Sequence, residues 1–325
     1  MYNKIILLYL FSVSLINNIT ALPVILICKY FFKKLFIIWS NSYFISVGYL
    51  LKYYNTSIYV NNIEIWKEFL ENKDPHHILI QNHLTQYDFL FLSRLISVNN
   101  KIITNHIRTL PWYATYILLP GFSIMGYLSN YIMISLNKKK TIKLLENCKI
   151  NNNDFLFFYP EGAVFCTKSK EQSDMFCDNN NIPRMKNCMY PRSGALDILH
   201  KNNNIKTIYS LSTKYNIDIN GKYYTLINNP MPNEIYFKIN KHIINDNLIF
   251  NQTVKIFRDI DDYIDNYKEY KFELIESKPI ELYYFIFHML FFISSCYVLI
   301  TNYFVTIYFF IILILYYTYV YFDIK

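Results

Sequence analysis

The sequence predicts an α/β fold: a mostly parallel sheet flanked by helices, with an N-terminal membrane anchor and a C-terminal transmembrane hairpin. Three observations predict it. Short apolar runs suited to buried strands, at 78–80, 101–104, 131–134, 155–159 and 205–211, alternate with helical patterns at about 64–72, 88–98, 139–148 and 193–201. The stretch 5–28 near the start of the chain is long enough to cross a bilayer. The stretch 283–322 near its end is almost wholly apolar and aromatic. The chain thus divides into an anchor over 1–52, a central domain over 53–280 and a hairpin over 281–325.

In the first part, Asn17, Asn18 and Pro23 interrupt the apolar run. A signal peptide would use Lys4 and Ile5 to Ile16, but no small-x-small cleavage site follows, so a retained anchor is expected. Lys29, Lys33 and Lys34 follow the run, against Lys4 before it. The positive-inside rule therefore places the next segment in the cytosol. Residues 35–51 are apolar but broken by polar residues and read as an interfacial or half-embedded helix. The central part has no Pro/Gly/Ser-rich linker and no internal repeat. In the last part, a split near Thr301-Asn302 gives two spans. Lys271 and Lys278 precede them and Lys325 follows, so the hairpin returns the chain to its starting side. His288, inside the first span, reads as a helix–helix contact.

Composition narrows the partners. The chain carries 32 Lys and Arg against 24 Asp and Glu, a net charge of +8. With apolar segments at both ends, this favours an anionic surface or substrate such as a phospholipid headgroup. The charge is spread out and no nucleic-acid motif is present, so no nucleic-acid partner is expected. The 53% hydrophobic content and the abundant Asn, Ile, Lys and Tyr read as nucleotide bias rather than function. Asn triplets at 151–153, 179–181 and 202–204 mark surface loops. None of the six cysteines forms a Cys-x-x-Cys pair, so no metal site is expected. The eleven-residue spacing of Cys166, Cys177 and Cys188 reads as coincidence, and free thiols are expected in a cytosolic domain.

Two stretches carry chemistry. QNHLTQYD, residues 81–88, lies between a buried strand and a helix. Asp88 is placed to start that helix, and the turn allows its carboxylate to reach one nitrogen of His83. The other nitrogen then faces the cleft as a general base. A polar loop histidine and a plain helix cap are the bland alternative. FLFFYPEGAVF, residues 155–165, is a strand ending in Pro160-Glu161-Gly162. Pro160 ends the ladder, and Gly162 permits a left-handed turn expected to expose Glu161 at the strand end, where open α/β sheets bind ligands.

Together these segments resemble the membrane glycerophospholipid acyltransferases, the lysophosphatidate and lysocardiolipin acyltransferase group. The resemblance covers residues 78–213. NHLTQYD looks like the first block and YPEGA like the Phe-Pro-Glu-Gly-Thr block. IRTLPWYATYILLPGFSIMGYLSNYIMIS looks like the second, with Pro111, Gly121 and Gly126 matching. MYPRSGAL and IYSLSTKY fall where the lysocardiolipin-type branch carries its basic segment and last strand. Tyr159 stands for Phe and Ala163 for Thr. The second block's basic residue falls at Leu136, with Lys138 to Lys140 one turn away.

The resemblance implies acyl transfer from acyl-CoA, as co-substrate, to a lysophospholipid hydroxyl such as that of 1-acylglycerol-3-phosphate. No further cofactor is implied, and the endoplasmic reticulum is the default membrane. His83 would be the base and Asp88 its partner. The backbone around Glu161, Gly162 and Ala163 would supply oxyanion donors. Glu161 would orient a basic group or hold the acceptor, beside Pro160 and Gly162. Arg192 is the first candidate for the phosphate, bound bidentately; Arg108, Arg184 and Lys186 are second-tier candidates. Leu136 and Ala163 motivate the alternative, a catalytically weakened lipid-binding scaffold. The charge-free terminal spans argue against a channel, and the absence of Gly-x-Ser-x-Gly argues against a hydrolase elbow.

Overall fold

The computed structural model of the protein describes residues 8–53, 55–85, 88–98, 106–111, 120–132, 134, 137–192, 194–217, 231–244 and 249–324. The expected strand at 101–104 and the position of Leu136 lie outside the described residues. So do residues 112–119 and Ser193 of the MYPRSGAL segment.

A seven-stranded sheet organises the chain. Its strands are β1 (Ser57–Asn61), β2 (His77–Gln81), β3 (His106–Thr109), β4 (Asp154–Phe158), β5 (Thr207–Tyr215), β6 (Glu234–Ile243) and β7 (Glu273–Ile275). They lie in the order β3-β4-β2-β5-β6-β1-β7. The β3–β4, β4–β2, β2–β5 and β6–β1 pairs are parallel, whereas β5–β6 and β1–β7 are antiparallel. β2 and β4 are buried at every position. This is why HILIQ and DFLFF read as continuous rather than alternating apolar strands. The expected strand at 131–134 is reduced to two hydrogen bonds beside β3. Ile132 N–H donates to the Thr109 carbonyl at 3.1 Å and Ile134 N–H to that of Pro111 at 3.0 Å.

The helices are α1 (Ser14–Thr20), α2 (Leu22–Phe31), α3 (Lys33–Tyr53), α4 (Ile63–Glu71), α5 (Asp88–Ile96) and α6 (Pro120–Leu128). They continue with α7 (Lys138–Glu146), α8 (Thr167–Asn179), α9 (Gly194–Asn203), α10 (Ile249–Asn266), α11 (Pro279–Thr301) and α12 (Tyr303–Ile324). They form layers on both sheet faces. On one face Ile45, Trp66, Phe69, Phe91 and Leu95 of α3, α4 and α5 pack on Leu79, Phe155, Phe157 and Tyr209. On the other, Leu145, Leu196, Leu199, Ile256, Phe257 and Ile260 of α7, α9 and α10 pack on Ile78, Ile80, Leu156 and Ile208. Each large side chain buried this way contributes roughly 1.5–3 kcal/mol.

α11 is long and apolar enough to cross a membrane, and only a small part of it is buried within the protein. Leu282, Tyr283, Ile286, Leu290, Ile293 and Tyr297 are exposed along it. Residues Phe11–Thr20 and α2 pass the same test only as a pair, bent by 67° at their junction. Pro23 explains the bend. It lacks the N–H that would bond the Ile19 carbonyl one turn back, and Tyr308 of α12 donates its hydroxyl there at 3.4 Å. Other polar contacts join these helices. Asn17 donates to the His288 carbonyl at 3.0 Å, Ser42 meets His288 Nε2 at 2.9 Å, and Thr20 meets Ser295 at 3.0 Å. His288 is therefore a helix–helix contact.

Candidate active site

Three neighbouring parallel strands end at one edge of the sheet. The loop after β2 carries His83, the turn after β4 carries Glu161, and β5 ends at Tyr215. The carboxyl edge of such a sheet is where α/β folds place ligand sites.

Asp88 opens α5, and its carboxylate is fully buried. Oδ2 accepts from His83 Nδ1 at 2.9 Å and from Leu84 N–H at 2.8 Å. Oδ1 accepts from Thr85 N–H at 3.0 Å, from Thr85 Oγ1 at 2.7 Å and from the Tyr215 hydroxyl. With its lone pairs fully engaged, the acid cannot rotate. It fixes the tautomer: Nδ1 carries the proton and Nε2 presents a lone pair. Nε2 makes no hydrogen bond with a described residue, and the side chain is 17% exposed. The Tyr159 ring lies flat against the imidazole, 3.9 Å between centroids and 11° from parallel. The loop itself is tied down by Asn82, which exchanges two hydrogen bonds with the Thr213 backbone at 2.8 and 3.0 Å.

Glu161 departs from the expectation of an exposed strand-end carboxylate: it is buried at 2% exposure. One oxygen accepts from His83 N–H, the other from Met189 N–H at 2.8 Å. It therefore latches the His83 loop to the segment leading to Arg192. It does this by accepting from backbone donors, not by orienting a basic side chain. Phe165 N–H reinforces the link by donating to the His83 carbonyl at 2.7 Å. Asp261 of α10 holds the same segment through the N–H groups of Lys186 and Cys188, at 2.8 and 2.9 Å. Burial pushes the Glu161 carboxyl up to about 8, opposed by its two N–H donors.

That rise carries a sign. The unfolded chain releases this proton near 4.5 and the folded chain near 8. The stability that Glu161 contributes is therefore complete below about 4.5 and is lost as pH rises towards 8. Glu161→Gln should remove this part of the pH dependence. Thermal unfolding between pH 5 and 8 checks it: the wild-type midpoint should fall more than the variant's, and parallel curves would contradict the reading. At the low-pH end the variant should be less stable by about 1–3 kcal/mol, because the amide can accept only one of the two N–H groups well, and this gap should narrow as pH rises.

Gly162 adopts φ +69°, the left-handed turn its residue type allows. A Cβ there would lie 3.3 Å from Arg192 Cδ and 3.7 Å from its Nε. The buried Pro160 accepts from Arg192 N–H at 2.7 Å. Arg192 is thus seated over the turn, exposed, and its guanidinium has no hydrogen-bond or ion-pair partner among the described residues.

The other basic candidates are not brought here. Arg108 is buried and donates to Asp154 Oδ2 at 2.9 Å and to the Lys149 and Asn130 carbonyls at 2.7 and 3.0 Å. In-register β3–β4 pairing turns its guanidinium to the amino end of β4, the far edge of the sheet. Arg184 pairs with Asp178 and Lys186 with Asp265, both at the surface. Of the expected oxyanion donors, Gly162 N–H is used within its turn, donating to Tyr159 O at 3.0 Å. Thr85 and Tyr215 are the site residues that sequence reasoning missed. Thr85 lies inside the first block, three residues before Asp88. Tyr215 lies 127 residues away, with no spacing signal to connect it.

Residues 58–208 match the Acyltransferase family. Over 176 residues the chain is 22% identical to lysocardiolipin acyltransferase 1 of Gallus gallus, covering 51% of this chain and 46% of that protein. The chain therefore spans about half the length of this relative.

Proposed function

We propose that the chain, which is similar to acyltransferases over residues 58–208, is a glycerophospholipid acyltransferase that transfers a fatty acyl group from acyl-CoA to the free hydroxyl of a lysophospholipid. One observation carries the reading: a histidine pinned by a buried, fully bonded aspartate, with its second nitrogen unpartnered at the carboxyl edge of the sheet.

In this reading His83 Nε2 takes the proton of the acceptor hydroxyl as its oxygen attacks the thioester carbonyl. The acceptor alcohol is the nucleophile, so no protein nucleophile is required. The buried Asp88 charge stabilises the imidazolium that forms, the role of the carboxylate in a serine-protease triad. The tetrahedral intermediate then collapses with cleavage of the C–S bond, and the imidazolium returns its proton to the departing CoA thiolate. Arg192, seated over the Gly162 turn with an unengaged guanidinium, is the group assigned to the acceptor phosphate. Pro160 and Gly162 shape that seat, and Glu161 holds it against the His83 loop. No metal is assigned a part, and among the described residues no cluster of three metal-ligating side chains occurs.

Both substrates carry acyl chains that partition into lipid, so the domain must work at a membrane surface. The apolar α11, with α12 returning beside it and the bent pair at the start of the chain, is assigned as its attachment. The lysine asymmetry around the first apolar stretch supports a cytosolic side for the catalytic domain, and the endoplasmic reticulum is the membrane proposed.

The test is a mass-spectrometric screen. Membranes containing the protein are given one labelled acyl-CoA and a panel of lysophospholipids, including 1-acylglycerol-3-phosphate and lysocardiolipin. Label in a diacylated product from at least one acceptor, with release of CoA, is the expected result. Binding of lipid without CoA release for every acceptor would replace this reading with the scaffold.

A further inference from the structure

β5 reaches the carboxyl edge of the sheet with both of its faces in use. Tyr215 donates its hydroxyl to Asp88 on one face. Lys214, one residue earlier, projects from the other, where α10 packs. There a cleft of about 410 Å³ opens between the end of β5 and the end of α10, a volume typical of small-molecule sites. Lys214, Asn216 and Ile217 line it on the strand side. Asp265, Tyr267 and Lys268 line it from the last turn of α10 and the 3₁₀ turn that follows.

The cleft is positively charged. Asp265, its acid, is paired with Lys186 Nζ at 3.0 and 2.8 Å. Lys214 is half-buried and Lys268 exposed, and neither makes a hydrogen bond or ion pair with a described residue. Both ammonium groups stand 6.0 Å from the centre of the Tyr267 ring, which packs on Tyr236 at 5.0 Å between centroids. Two such cations beside one aromatic ring suit a ligand that carries phosphates and a flat base.

Its position relative to His83 follows from the strand order. In β4-β2-β5 the middle strand carries the His83 loop, the β4 turn carries the Arg192 seat, and β5 carries the cleft. The cleft and Arg192 thus flank the proposed base. A short segment joins the two: Lys186 pairs with Asp265, and three residues on Met189 N–H donates to Glu161, whose other oxygen holds His83 N–H. The cleft also lies on the sheet face opposite the one covered by α3 and α5. α11, the helix assigned to the membrane, clasps α5 on that covered face. A water-soluble ligand group is therefore accommodated away from the lipid attachment.

We propose that this cleft binds the 3′-phosphorylated ADP end of acyl-CoA, with Lys214 and Lys268 on its phosphates and the Tyr267 ring against its adenine. The pantetheine arm then runs along the 186–189 segment and brings the thioester to His83, while the acceptor phosphate is held on the Arg192 side. The inference rests on the acyl-transfer reading and adds to it the place where the donor is held.

The test compares two donors carrying the same labelled acyl group: acyl-CoA, and acyl-pantetheine, which keeps the thioester and lacks the nucleotide. Full-length protein in membranes is assayed with each donor and the lysophospholipid panel. In the double variant Lys214→Ala, Lys268→Ala the KM for acyl-CoA should rise about tenfold, with kcat and the acceptor KM little changed. The KM for acyl-pantetheine should stay at the wild-type value. Adenosine 3′,5′-bisphosphate should compete with acyl-CoA in the wild type and compete more weakly in the variant. An unchanged KM for acyl-CoA would overturn the proposal. So would an equal rise with both donors, which would assign the lysines to the fold or to the acyl chain. Lys268→Glu, a single change at an exposed turn, is the second variant and should raise the same KM. Wild-type transfer with unchanged donor KM in both variants removes the cleft alone, whereas no transfer by the wild type to any acceptor removes the parent reading.

Discussion

His83→Ala is expected to abolish acyl transfer from acyl-CoA in isolated membranes while the protein level stays unchanged. The alcohol of a glycerol backbone is a poor nucleophile at neutral pH, and a positioned base contributes about 10²–10⁴-fold. The fold is not expected to suffer. The imidazole is 17% exposed, and Nδ1 supplies only one of several donors to Asp88. The loop keeps its backbone ties to Glu161, Phe165 and Thr213 in the variant. Asp88→Asn should be as damaging to activity. An amide beside Nδ1 no longer selects the tautomer, and Leu84, Thr85 and Tyr215 then compete for a single oxygen. Initial rates with each variant, normalised to protein by immunoblot, check both. Full activity in His83→Ala would exclude His83 as the base.

The second large effect is on stability and lies beneath the site. Arg94 of α5 and Glu281 of α11 form an ion pair at 3.2 Å with side chains 4% and 0% exposed. Glu281 also accepts from Ser97 and, at 2.9 Å, from Ser277, while Arg94 donates to the Ile275 carbonyl at 3.0 Å. Gly48 of α3 leaves them room: a Cβ there would lie 2.8 Å from Glu281 Oε1 and 3.1 Å from Arg94 Cδ. Removing one member leaves an uncompensated buried charge, so Glu281→Ala or Arg94→Ala should each cost about 3–5 kcal/mol. Replacing both by apolar residues of similar size should cost much less than the sum. Thermal unfolding in detergent of the two single variants and of Arg94→Met with Glu281→Leu checks this. Additive losses would mean that the two residues do not act as a pair.

The strands that bury both faces were legible because an uninterrupted apolar run such as HILIQ or DFLFF has few alternatives in a chain of this size. The His83–Asp88 pair was legible for a related reason: two residues five apart, in the short turn between a strand and a helix, have little freedom. The strands on the β7 side of the sheet were not. β1 and β6 mix Ile, Tyr, Val and Phe with Ser, Asn, Lys and Glu, which in an Asn- and Lys-rich chain looks like background. α8 carries almost no apolar stripe, since of its residues only Cys177 is buried. Glu161 was misjudged for a physical reason. A carboxylate next to a glycine turn is normally solvated, and only the tertiary approach of His83 and Met189 supplies the N–H groups that permit its burial. Arg108 was misplaced because sequence order cannot tell which edge of a sheet a strand residue faces.

The bend at Ala21 and the clasp between Arg94 and Glu281 bear on different scales. The clasp fastens the helix that begins at Asp88 to the helix proposed to lie in lipid. With α11 in the bilayer, the clasp would couple the tilt of that helix, set by the hydrocarbon thickness, to the helix whose first carboxylate lies under His83.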